Sequence, residues 1–111
     1  MVKRPAARVS EQDLDQLTAL FRLLSDKTRL NILMLLAQGE RNVSSLCEEL
    51  NLPQPTVSHH LGLLRMNNII GNRREGKQVF YGLDGRVDIG QGDSLKIDVE
   101  NLFVKIAPKA G

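Results

Sequence analysis

The chain has 111 residues, 41% of them hydrophobic, which suits one domain with a modest core. A formal charge of +2 permits a nucleic-acid partner without requiring one, so the placement of charge matters more than its sum. No apolar run approaches membrane-spanning length, MVKRPAARVS lacks a signal-peptide core, and one cysteine cannot form an internal disulfide, so a cytoplasmic protein is expected.

Residues 1–9, with Lys3, Arg4 and Arg8 around Pro5, read as a flexible tail, the alternative being a basic arm that reaches DNA. Ser10 caps a first helix, with Asp13 near its N-terminal dipole and Leu14, Leu17, Phe21 and Leu24 at helical spacing. Asp26 caps a second, in which Leu30, Ile32, Leu33, Leu35 and Leu36 are apolar nearly all round, as in a helix at the centre of a domain. Gly39 ends it at a left-handed position. Arg29 suits an internal salt bridge or cap at least as well as a phosphate contact.

From Val43 to Met66 the pattern is short helix, tight turn, longer helix. Val43, Leu46, Cys47 and Leu50 form one apolar stripe. Asn51-Leu52-Pro53 breaks it, because the residue before a proline is pushed out of the α region. Pro53 and Pro55 are tolerable in a first turn, whose N–H groups lack helical partners anyway. Val57, Leu61 and Leu64 make the next stripe, leaving Gln54, Thr56, Ser58, His59, Gly62 and Arg65 on the remaining surface. A buried helix braced against one rich in exposed hydrogen-bonding groups is a helix-turn-helix pattern. Asn67-Asn68 closes it, Ile69-Ile70 opens a strand, Glu75-Gly76 supplies a turn and Gln78 to Leu83 returns. This hairpin carries Arg73, Arg74 and Lys77 at its tip, suited to a phosphate backbone or minor groove.

These residues together resemble a known family. PQPTVSHHLGLLR, preceded by LSDKTRLNILMLLAQGE and followed by GNRREGKQVFYGLDG, is similar to winged-helix regulators of the ArsR/SmtB type, over about Leu20 to Leu83. The resemblance implies a homodimeric repressor that leaves its operator when an effector, often a metal ion, binds. It also implies that the N-terminal helix, with Leu14, Leu17 and Phe21, supplies much of the dimer interface. Pro53 departs from the pattern, which often has a capping Ser there, so this helix start must be satisfied otherwise.

The C-terminal region is where that pattern weakens, since many relatives end in a long helix that pairs across the dimer. Here Leu95, Ile97 and Val99 alternate, then Leu102, Val104 and Ile106, with Glu100-Asn101 between them, which favours strand–turn–strand. Val99, Leu102, Phe103 and Ile106 also share one helical face, so a helix stays open. Arg86 to Ile89 reads as a short strand before a flexible GQGD loop. The fold class is therefore mainly α with a β-hairpin wing, an α+β winged helix-turn-helix with an extra C-terminal hairpin. Residues 10–83 form the DNA-binding domain and 84–111 an extension packed on it.

An α-helix fits the major groove, where each base pair shows a distinct donor and acceptor pattern. Gln54 can pair with adenine, Thr56 and Ser58 can donate or accept, and His59 can reach a guanine or phosphate; by resemblance these are positions the family uses. The expected DNA-binding set is Gln54, Thr56, Ser58, His59, Arg65, Arg73, Arg74 and Lys77. Gly62 costs about 1 kcal/mol relative to Ala in a helix interior, which close approach of backbone to DNA explains; simple tolerance is the plainer reading. His60, beside Val57 and Leu61, reads as a hydrogen-bonded packing residue.

No metal or other cofactor is expected. The arsenic and cadmium sensors carry Cys-Val-Cys where this chain has Asn42-Val43-Ser44, and zinc sites on the last helix use His, yet no His follows His60. Cys47, on an apolar stripe, reads as a small core residue, and Asp88, Asp93 and Asp98 as solvated. Ser58, His59 and His60 do not make an enzyme, because adjacent helical side chains diverge and no orienting acid or phosphate loop accompanies them. The function read here is a sequence-specific, dimeric repressor on double-stranded DNA, with an unidentified effector if any. A winged helix that binds protein, or a metal- or redox-responsive repressor with an unrecognised site, are the alternatives.

Overall fold

The computed structural model describes residues 9–90 and 94–109; the expected tail apart from Val9 and most of the GQGD loop lie outside these residues. Four helices come first, α1 (Glu11–Leu24), α2 (Lys27–Ala37), α3 (Val43–Leu50) and α4 (Gln54–Met66). A two-residue strand, β1 (Arg41–Asn42), separates α2 from α3. The wing is β2 (Ile70–Glu75) and β3 (Gln78–Leu83), and β4 (Val87–Ile89), β5 (Leu95–Val99) and β6 (Leu102–Ile106) complete the chain. One antiparallel sheet has the order β1-β3-β2 and the other β4-β5-β6. This is the winged helix-turn-helix with an added C-terminal hairpin that the sequence pattern implies, enlarged by β4 to three strands.

The helix starts follow from their caps. Ser10 and Asp13 form a reciprocal capping box at α1, each side chain accepting from the other's backbone N–H at 3.0 Å. Asp26 accepts from the Arg29 N–H at α2, and Asn42 from the Ser45 N–H at α3. After α2, Gly39 sits at φ 146, a region open to glycine but outside the left-handed helical well expected for it. Asn51, at φ 55, takes the left-handed cap of α3 and turns the chain into α4.

The core is continuous through both halves. Ile32, Leu33, Leu46, Val57 and Leu64 are fully buried in the helical part, and Leu95 and Ile97 equally so in the C-terminal sheet. Burial along β5 alternates strictly, as period-two patterning demands. Arg86 stitches the two parts together, donating to the carbonyl of Asn67 at the end of α4 (2.7 Å) and to that of Asp98 on β5 (3.1 Å). Asn101, in the turn between β5 and β6, donates to the buried Asp13 carboxylate at 3.5 Å.

Two local expectations need correction. Glu75 pairs with Gln78 across the wing, so the turn is Gly76-Lys77, with Gly76 at φ 63, and not Glu75-Gly76. Arg73 and Arg74 consequently lie within β2, short of the tip, and only Lys77 occupies it. The β1 strand was not foreseen; it pairs Arg41 with Tyr81 and Asn42 with Phe80, fastening the wing to the start of α3.

Candidate nucleic-acid interface

Helix α4 is held by Val57, Leu61 and Leu64, all buried, against α2 and α3. Its start has no side-chain cap: Pro53 is extended (φ -69, ψ 153), and its carbonyl accepts from the N–H of Thr56 and Val57. Pro55 carries no N–H, so the first turn has one donor fewer to satisfy. Seen from outside, Gln54, Ser58, His59 and Arg65 are exposed, whereas Thr56 is half-buried and less free than its neighbours.

The paired histidines divide their roles. His59 faces outward, its ring 5.4 Å from that of His60 in an edge-on arrangement. Half-buried His60 places Nδ1 3.2 Å from a terminal nitrogen of Arg29. A guanidinium can only donate, so this contact requires Nδ1 as acceptor and puts the imidazole proton on Nε2. Arg29 Nε donates in turn to the carbonyl of Leu23 at 2.6 Å. One guanidinium therefore ties the last turn of α1 to the recognition helix. Asp26 lies 3.9 Å from it. The Arg29 backbone N–H, more than the Arg29 charge, lowers the Asp26 carboxyl below its usual range, against a smaller opposing effect of desolvation.

On the wing, Arg73 and Arg74 are strand neighbours and so point to opposite faces. Arg73 is engaged three ways. It grips the Glu40 carboxylate through Nη2 (2.8 Å) and Nε (3.0 Å), reaches Glu75 through Nη1, and lies 4.9 Å over the Phe80 ring. The Arg73 hydrogen bond pulls the Glu40 carboxyl below its ordinary value, and Glu40 and Glu75 fix the guanidinium still more firmly in its charged form. Arg74 and Lys77 are exposed and form no salt bridge among the described residues. Of the three wing cations expected at DNA, the structure leaves two free and makes the third a brace between the wing and the end of α2. Sequence reasoning missed Glu40, because its partner lies 33 residues away and no local periodicity links them.

Between the end of α4 and the wing lies an open groove of about 670 Å³, lined by Gly62, Arg65, Met66, Asn68 and Asn72 among others. From the sequence Asn68 was read only as part of the helix end and Asn72 was not singled out, since nothing local marks a polar residue in a hairpin as special. Cys47 is half-buried against the core. Among the described residues no group of three or more His, Cys, Asp or Glu is placed to hold a metal ion, and no helix is long and apolar enough to cross a membrane.

Residues 26–70 match the family model described as bacterial regulatory protein, arsR family. The HTH-type transcriptional regulator KmtR of Mycobacterium tuberculosis is 44% identical over 64 residues, 58% of this chain and 49% of KmtR. The chain thus spans about half the length of that relative. The transcriptional repressor SdpR of Bacillus subtilis is 36% identical over 60% of this chain and 74% of SdpR. Among solved structures, the homodimeric winged helix-turn-helix DNA-binding domain of Mb0332 from Mycobacterium bovis, a possible ArsR-family regulator, superposes with a TM-score of 0.62. It is 32% identical and covers 77% of each chain.

Proposed function

Because the chain belongs to the ArsR family of bacterial regulatory proteins, we propose that it is a homodimeric transcriptional repressor that reads an inverted-repeat operator. The observation that carries this reading is the outer face of α4. A helix whose inner stripe is buried presents Gln54, Ser58 and His59 outward, with the free cations Arg74 and Lys77 on the wing beyond. Gln54, Ser58 and His59 read base edges, with Thr56 in a lesser, half-buried part; Arg65, Arg74 and Lys77 hold phosphates. Arg73 acts on DNA chiefly by fixing the wing that carries Arg74.

One recognition helix covers only a few base pairs, so useful specificity needs two, related by a two-fold axis. Leu14 and Phe21 of α1, 48% and 54% exposed, are large apolar groups of the kind a subunit interface covers. The reading includes no arsenic-type or zinc-type metal site, since Cys47, His59 and His60 lie on different faces of two helices.

The test is selection of duplexes from a random pool, followed by binding of substituted proteins. Gln54→Ala or Ser58→Ala should cost about 1–3 kcal/mol on the selected site and much less on random DNA. Equal losses on both would remove the base-reading role.

A further inference from the structure

Gly62 is a helix-interior glycine that nothing among the described residues accounts for. It stands in the ninth position of α4, between the buried Leu61 and Leu64, in ordinary right-handed helix. It does not end the helix: Asn67 and Asn68 do that, Asn68 at φ 60. A Cβ built at Gly62 would meet no atom within 4 Å, so no neighbouring side chain or strand needs the space. Alanine would hold the helix better, since glycine both frees the unfolded chain and exposes backbone.

Among the described residues nothing requires the position to be bare, so a specific reason for it, as against simple tolerance, is to be sought outside them. Its surroundings say what that is. Gly62 follows Ser58 by one helical turn, precedes Met66 by another, and borders the groove between α4 and the wing. Arg65 and Asn68 offer donors on the helix side and Asn72 on the wing side. Met66, 80% exposed, offers an apolar surface for deoxyribose or a thymine methyl. Asp84, beside Gly71, opposes an anion lodged deep in the groove. A phosphate entering this groove would therefore sit at the rim, near Arg65, with its strand running across the mouth.

We propose that Gly62 is a close-approach position, where one strand of bound DNA packs directly on the backbone of α4 and a side chain would hold it off. This rests on the reading of the chain as a DNA-binding regulator. The position then sets how deeply the recognition helix enters the groove, and hence whether Gln54, Ser58 and His59 reach base edges.

The experiment compares the wild-type protein with Gly62→Ala and Gly62→Val, using the tightest duplex recovered from a random pool by the wild type and a scrambled duplex of equal length. Gly62→Ala should raise the melting temperature of the free protein. It should weaken binding to the selected duplex at least ten-fold and narrow the ratio between selected and scrambled DNA, and Gly62→Val should weaken binding further. An Ala variant that melts higher yet binds the selected duplex as tightly as wild type overturns the proposal and leaves the DNA-binding reading intact. A wild-type protein that enriches no duplex overturns both. A melting temperature lowered by Ala also overturns it, since the glycine would then serve the fold.

Discussion

Removing Arg73 and removing Arg74 should have different signatures in salt, although the two are adjacent in sequence and identical in chemistry. Arg74 is exposed and free of salt bridges among the described residues, so in the proposed complex its charge replaces a counterion on the DNA. Each phosphate neutralised contributes about 0.9 to the slope of log affinity against log salt, so Arg74→Ala should flatten the slope of a dimer by about 1.8. Between about 50 and about 200 mM salt the variant should then lose roughly ten-fold less affinity than wild type. Arg73 is already neutralised by Glu40 and Glu75. Arg73→Ala should leave the slope nearly unchanged while weakening operator and random duplex alike, because the wing loses its brace. Fluorescence anisotropy with one labelled duplex, repeated across a salt series for three proteins, measures all of this. If Arg73→Ala flattens the slope as much as Arg74→Ala does, the Glu40 pair opens on binding and the guanidinium moves to a phosphate, and the assignment of Arg73 as a brace fails.

Other substitutions probe the rest of the scheme. Ile97→Ala removes a fully buried side chain from the centre of β5 and should destabilise the whole domain by about 2–5 kcal/mol in urea unfolding; a loss under about 1 kcal/mol would mean the C-terminal sheet does not share the core. Phe21→Arg should convert the dimer to monomer in sedimentation at micromolar concentration while the far-ultraviolet dichroism stays unchanged; a dimer that persists places the interface elsewhere. Titration of Zn(II), Cd(II) or arsenite into the preformed DNA complex should leave it bound. Stoichiometric release at micromolar metal, abolished by Cys47→Ser, would reveal a site that the donor count misses.

Much of this architecture is written in local spacing. The stripe of Val57, Leu61 and Leu64 and the break at Leu52-Pro53 are enough to place the recognition helix. The alternation of Leu95, Ile97 and Val99 marks a strand because β5 has one face on the core and one in water. What the spacing does not carry is partnership at a distance. The brace from Glu40 to Arg73 spans 33 residues and the link from Arg29 to His60 spans 31. Strand β1 has two residues, too few for any period to appear, and exists only because Phe80 and Tyr81 pass beside it. The same is true of charge. Arg73 and Arg74 are alike on paper, and only the pleat of β2 sends one to a carboxylate and the other to solvent.

The hydrogen bond from Asn101 to Asp13 joins residues 88 positions apart and makes an early helix depend on a late turn. Closing a loop of that length costs entropy, so the bond depends on the packing of α1 against β5 around it. Helix α1 packs on α2, its neighbour in sequence, and through Asp13 and Asn101 it is also tied to the β5–β6 turn. The helix that carries Leu14 and Phe21 is thus held by both an early and a late part of the chain, so a change in the β5–β6 turn would be felt at the surface the proposed dimer buries.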